Sequence, residues 1–207
     1  MNTSPLIRIT LLLLLVGLTG CSYTIMKLYG MKKVKPIDDK TVLRYAEKYH
    51  VPTSDLYLVD TSYLTYLFSF DTLLFEKEIN NHYQPLQALY YDSAGQLQSY
   101  HINCYAGGFP NLNWDRDSIM TTFPPKDQTP VDTLFPLDKH LSFLRPLDST
   151  AEFVVEDFDY VVIVHWNRWM GRQSKRFIQT LQENRALASE KAVKIVYANI
   201  DHLYTYD

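Results

Sequence analysis

The chain is predicted to be α/β over residues 85–207, behind a mainly helical segment at 36–84, and three patterns predict it. The run Tyr160–Trp166 is continuously apolar and β-branched, as a strand covered on both faces must be. Residues Arg172 to Lys191 then carry Phe177, Ile178, Leu181 and Ala188 on one helical face, with Lys175, Gln179, Gln182 and Arg185 opposite, before a second apolar run at 193–198. Strand, helix and strand in this order imply a parallel, right-handed crossover. Upstream, Leu86–Tyr91 and Gln96–Asn103 flank Asp92-Ser93-Ala94-Gly95, the pattern of a β-hairpin on a glycine-bearing turn.

From the N-terminus, Met1 to Gly20 opens with one cation, Arg8, and continues into the apolar run Leu11 to Leu18. A short apolar core behind a positive start and before small residues reads as an export signal. It is too short for a stable span, which takes about 20 apolar residues. Leu18-Thr19-Gly20-Cys21 resembles the lipobox of bacterial lipoproteins. That resemblance implies cleavage before Cys21, a thioether to diacylglycerol and a second acyl chain such as palmitate on the new N-terminus. Multiple chains at one residue make a lasting anchor. Ser22, where an acidic residue is absent, resembles the enteric pattern sent to the outer membrane. The expected location is therefore the bacterial cell envelope, with the lipid membrane as a partner.

Residues 21–35 read as a tether containing Lys27, Lys32, Lys33 and Lys35. A helix is expected from Asp38 to Val51: Asp38 can cap, Val42, Tyr45, Ala46 and Tyr49 recur at helical spacing, and Pro52 stops it. Residues 54–84 fit either a second helix around Ser62 to Ile79 or short strands, and the helix is the preferred reading. After the hairpin, 107–130 reads as a loop rich in Gly, Pro and Asn.

Composition excludes several function classes. With 20 basic against 23 acidic residues and no long single-sign run, nucleic acid is not an expected partner. Only Cys21 and Cys104 occur, so lipidation at Cys21 leaves one free thiol and no internal disulfide. The core must then carry the fold, and 16 tyrosines and 10 phenylalanines point to an aromatic-rich one.

The stretch Val161-Val162-Ile163-Val164-His165-Trp166-Asn167-Arg168-Trp169-Met170-Gly171-Arg172-Gln173-Ser174-Lys175, followed by a helix and a strand ending Asn199-Ile200-Asp201, resembles the central β-α-β of the thioredoxin-like superfamily. In that family the strand leads into Trp-Cys-Gly-Pro-Cys-Lys, and the helix N-terminus makes the first cysteine a thiolate. By this resemblance Met170 stands for the nucleophile, Arg172 for the proline, Gln173 for the resolving cysteine and Val164 for the buried carboxylate. Neither Met170 nor Gln173 can exchange a disulfide, so the resemblance implies a redox-inactive site whose edge, Trp169 to Gln173, serves binding or is vestigial. The family's hairpin follows the β-α-β, whereas here Pro85–Leu97 resembles it and comes first. That implies a rearranged strand order, with Pro85 in the place of the family's cis-proline.

Other candidates have plain structural readings. Cys104 ends a strand, but His101, three positions away, falls on the opposite face, so a buried structural cysteine is expected. The six histidines show no metal-ligand spacing, and Asp115, Asp117, Asp127, Asp132 and Asp138 lack that of a calcium loop, so neither metal nor cofactor is expected. His165 reads as a core histidine, and Trp114, Trp166 and Trp169 as core aromatics. The functional expectation is an envelope-anchored binding or scaffold protein for an unnamed protein or small ligand. The alternative is an envelope enzyme using Cys104 or polar residues of the 107–130 loop.

Overall fold

The computed structural model describes residues 24–147 and 153–205, so the expected export signal and the expected lipidation site Cys21 lie outside the described residues. The architecture is α/β: a six-stranded mixed sheet with helices on both faces. Its strands are β1 (Leu56–Val59), β2 (Gln87–Asp92), β3 (Leu97–Ile102), β4 (Leu144–Pro146), β5 (Tyr160–Trp166) and β6 (Val193–Asn199), in the order β3-β2-β5-β6-β1-β4. The helices are α1 (Asp39–Lys48), α2 (Ser62–Leu67), α3 (Glu76–His82), α4 (Asn103–Ala106), α5 (Leu137–Leu141) and α6 (Arg172–Arg185). No described helix is long and apolar enough to cross a membrane.

Strands β5, β6 and β1 are parallel, with Val164 opposite Tyr197 and Tyr57 opposite Ala198. Hairpin β2–β3 joins antiparallel on the far side of β5, pairing Ala88 with Val164. Its turn is the expected one, with Gly95 at φ 72° and Asp92 Oδ1 accepting from the amides of Ala94 and Gln96. Because β5 is central, its alternate residues enter two different cores. Val162, Val164 and Trp166 pack with Val42, Ala46 and Tyr49 of α1 and with Phe177, Ile178 and Leu181 of α6. Val161 and Ile163 face the other side, with Leu89, Tyr91 and Tyr100.

Helix α1 forms as expected, with Asp38 Oδ1 accepting from the Thr41 amide at 2.9 Å and Val42 and Ala46 buried. The preferred helix over 62–79 is corrected: α2 and α3 are separate, joined by a turn through 68–75. Ahead of them β1, four consecutive buried residues, was not separable from a helix by period, because a strand enclosed on both faces shows no alternation. The segment 36–84 is therefore no separate unit, since β1 pairs with β6 inside the same sheet. The tether reading of 21–35 also ends early, for Met31 and Val34 pack against the core. The loop expected at 107–130 is held down: Trp114 lies against Phe177 with ring centroids 4.0 Å apart, and Asn184 Nδ2 donates to the carbonyls of Met120 and Thr122.

Candidate functional site

The start of α6 is where sequence placed a degenerate site, and its geometry follows from the turn leaving β5. Asn167 ties that turn together: its Oδ1 accepts from the Met170 amide at 2.7 Å, and its Nδ2 donates to the Pro85 carbonyl at 2.7 Å. Gly171 has φ 55°, and a Cβ there would stand 2.1 Å from the Gly30 carbonyl oxygen. Only glycine lets residues 28–33 approach this closely.

Those residues cover the helix start. Lys32 donates its amide to the Trp169 carbonyl at 2.7 Å, and Arg168 Nη2 donates to the Lys33 carbonyl at 2.6 Å. Arg172 donates to the carbonyls of Leu28 and Pro110. Gln173, fully buried, is the hub: its Nε2 donates to the carbonyls of Tyr29 (2.6 Å) and Pro110 (3.1 Å), and its Oε1 accepts from the Leu112 amide at 2.9 Å. Both amide atoms are thus spent on backbone groups that burial would otherwise orphan. Trp169 and Met170 are also buried, leaving Arg172 alone of the five positions exposed. The edge Trp169 to Gln173, expected to serve binding or to be vestigial, is covered by the chain's own residues 28–33 and 110–112.

Pro85 does stand beside this turn, but the cis peptide bonds among the described residues are Phe109–Pro110 and Phe123–Pro124. The cis-proline expected at Pro85 is corrected: its peptide bond is trans, its carbonyl accepts from Asn167 Nδ2, and the Leu86 amide donates to Asn103 Oδ1. Beneath the turn, Asp201 is 1% exposed; its Oδ2 accepts from the Arg168 amide at 2.5 Å and from Asn199 Nδ2 at 3.0 Å. Burial pushes its carboxyl above the ordinary aspartate value.

The buried cysteine expected at Cys104 is also corrected: the thiol is exposed, because β3 ends at Ile102 and Cys104 sits on the short helix α4. It donates to Gln84 Oε1 at 2.9 Å, and desolvation pushes its pKa up. A nucleophile needs the reverse shift and a base in reach. His101 is buried on the strand and bonded to Ser99 Oγ at 3.0 Å, with burial holding its pKa down at about 3. The three tryptophans are core residues, as expected. Among the described residues no group of three or more His, Cys, Asp or Glu side chains is placed to hold a metal.

Sequence reading missed a buried imidazole–phenol network on the other face. Gln87 Nε2 donates to the carbonyls of His82 and Gln84, which fixes its amide and leaves Oε1 to accept from the Tyr100 hydroxyl at 2.8 Å. Tyr100 oxygen must then accept from His82 Nδ1–H at 3.2 Å, while His82 Nε2 faces both oxygens of Asp132 at 3.0 and 3.1 Å. Both ring nitrogens thus have partners, and the imidazole that faces Asp132 is wholly enclosed. Tyr91 donates to the Phe135 carbonyl, so His140 Nδ1–H donates to Tyr91 and His140 Nε2 accepts from His165 Nε2–H at 3.0 Å. Burial depresses both pKa values, that of His165 to about 3, with the nearby His82 adding to each shift. His165 is thus the core histidine expected. His82, His140 and His165 sit on three different elements, so no local spacing could have signalled the network.

At the carboxyl ends of β1 and β6, a cleft of about 300 Å³ is lined by Ile37, Asp39, Val42, Asp60, Arg145 and His202 among others. This is where open α/β sheets receive ligands, and the lining sets the carboxylates of Asp39 and Asp60 against Arg145 and His202. Compared with protein-family models, with curated proteins and with solved structures, the chain matches none.

Proposed function

We propose that the chain is an envelope lipoprotein, anchored through acylated Cys21, whose α/β domain is a rearranged thioredoxin-like scaffold without redox chemistry. The observation that carries the reading is Gln173. The position that would resolve a disulfide is instead a buried amide bonding three backbone groups and closing residues 28–33 and 110–112 over the helix start. The sheet order supports the scaffold half. A hairpin antiparallel to β5, followed by β6 and β1 parallel to it, is the arrangement expected if the family's hairpin precedes its β-α-β in sequence. The Leu18–Cys21 lipobox supports the anchored half, with the outer membrane as its expected location.

Two measurements test this. Cells fed radioactive palmitate should label the wild-type chain, and Cys21→Ser should abolish the label and leave an uncleaved precursor. A labelled serine variant would refute the anchor. Cys104 should alkylate slowly at neutral pH and faster as pH rises, as a thiol with a raised pKa must. Fast labelling insensitive to pH would instead favour the enzyme reading.

A further inference from the structure

The rim formed by the carboxyl ends of β5, β6 and β1 collects exposed apolar side chains. Residues 24–28, the helical turn that begins the described chain, carry Ile25 (50% exposed) and Leu28 (49%). They adjoin Phe109 (61%), whose ring meets Tyr29 edge-on at 5.1 Å. On the other side of Trp169, a ring series runs through Tyr204 and Tyr83 to Phe68 (52%). The turn that carries Phe68 also bears Leu73 and Leu74, 92% and 74% exposed. Elsewhere among the described residues, exposed large apolar side chains come one each from separate segments, as Leu43, Val131, Val154 and Leu187 do. A concentration of this kind marks an interaction surface.

We propose that this rim rests on the phospholipid surface, with Ile25, Leu28 and Phe109 inserted at the headgroup boundary. The proposal rests on the reading that Cys21 carries lipid. Cys21 lies three residues before Thr24, and three residues span at most about 11 Å, so the acyl chains hold the turn at 24–28 within reach of the bilayer. The turn is not free to swing away, because Arg172, Gln173 and the Trp169 carbonyl bind residues 28–32 to the domain. An anchor joined to a docked strap fixes which end of the domain faces the membrane. Lys27, exposed beside Ile25 and Leu28, suits the headgroup layer. Apolar side chains here would enter about 5–10 Å, the depth typical of interfacial segments.

The experiment uses the full lipidated chain in vesicles of phosphatidylethanolamine and phosphatidylglycerol containing nitroxide-bearing lipid. With Cys21 acylated, Cys104 at the rim is the single free thiol and takes a fluorophore. A second protein, Cys104→Ser with Leu187→Cys, places the fluorophore beyond the far end of α6, about 21 Å away along a 14-residue helix. The chain should float with the vesicles, and lipid quenching should be several-fold stronger at Cys104 than at Leu187→Cys. Ile25→Ser with Phe109→Ser should still float but lose most of that difference, and Leu73→Ser with Leu74→Ser should reduce it. Flotation with equal quenching at the two positions, or a difference that neither pair of substitutions changes, overturns the docked rim and leaves the anchor standing. A chain that does not float overturns the anchor and the docking together.

Discussion

The two faces of β5 are built from one seven-residue strand, yet they are stabilised in different ways. Toward α1 and α6, Val162, Val164 and Trp166 meet a mainly apolar core that includes Phe177. On the opposite face Val161 and Ile163 share their layer with Tyr91 and Tyr100, whose hydroxyls link to His82, His140 and, through His140, His165. The first face is held by volume, and its losses should scale with the space a substitution opens. The second is held by partners, and its losses should scale with what is left unpaired.

The largest effects should come from one substitution on each face. Phe177→Ala removes a ring that touches Trp114 and should cost about 3–5 kcal/mol in urea unfolding. Asp132→Ala removes little buried volume, but it leaves the buried His82 Nε2 without its partner and should cost about 1–3 kcal/mol. If Asp132→Ala proved nearly neutral, the second face would not depend on paired groups and the comparison would collapse.

Tyr91→Phe sharpens the contrast because it deletes a single oxygen. It leaves the Phe135 carbonyl and the His140 Nδ1–H without their partner and should cost about 1–3 kcal/mol. Combined with His140→Leu in a double-mutant cycle, it should show a coupling of about 0.5–3 kcal/mol, whereas Tyr91→Phe with Phe177→Ala should be additive.

Acid should act mainly through the networked face, which holds His140 and His165. His165 has a folded pKa near 3, and that of His140 is also depressed, against about 6.5 when unfolded. The unfolded chain therefore binds more protons below pH 6.5, and stability should fall as pH drops from about 6.5 toward 3. His101, near 3 as well but on the α1 and α6 face beside Tyr90, adds to the same slope. Asp201 works in the opposite sense, because its raised carboxyl takes up a proton in the folded state first. Replacing His140 and His165 together with Leu should flatten the loss, measured as the urea midpoint against pH.

The smallest effect is expected at the margin of the apolar face. Asp38→Ala removes the cap of α1 and should cost about 1 kcal/mol, with no change in how stability varies between pH 5 and 7.

Where structure is set by neighbours in the chain, the sequence by itself was sufficient. The cap and apolar spacing of α1, the Asp92–Gly95 turn and the β5-α6-β6 unit follow from periods of 3.6 and 2 and from residues that fit particular turns. The same local chemistry showed Met170 and Gln173 to be incapable of disulfide exchange. Tertiary structure alone decided the rest. Strand β1 has no period to read because β6 and β4 flank it and both its faces are covered. Gln173 became a hub only because residues 28–33, about 140 positions away, return to lie across α6. His82, His140 and His165 acquired their roles by meeting across three elements. Contacts of this range are chosen by closure of the whole sheet and by the cost of leaving buried polar groups unpaired, and no window of sequence encodes either.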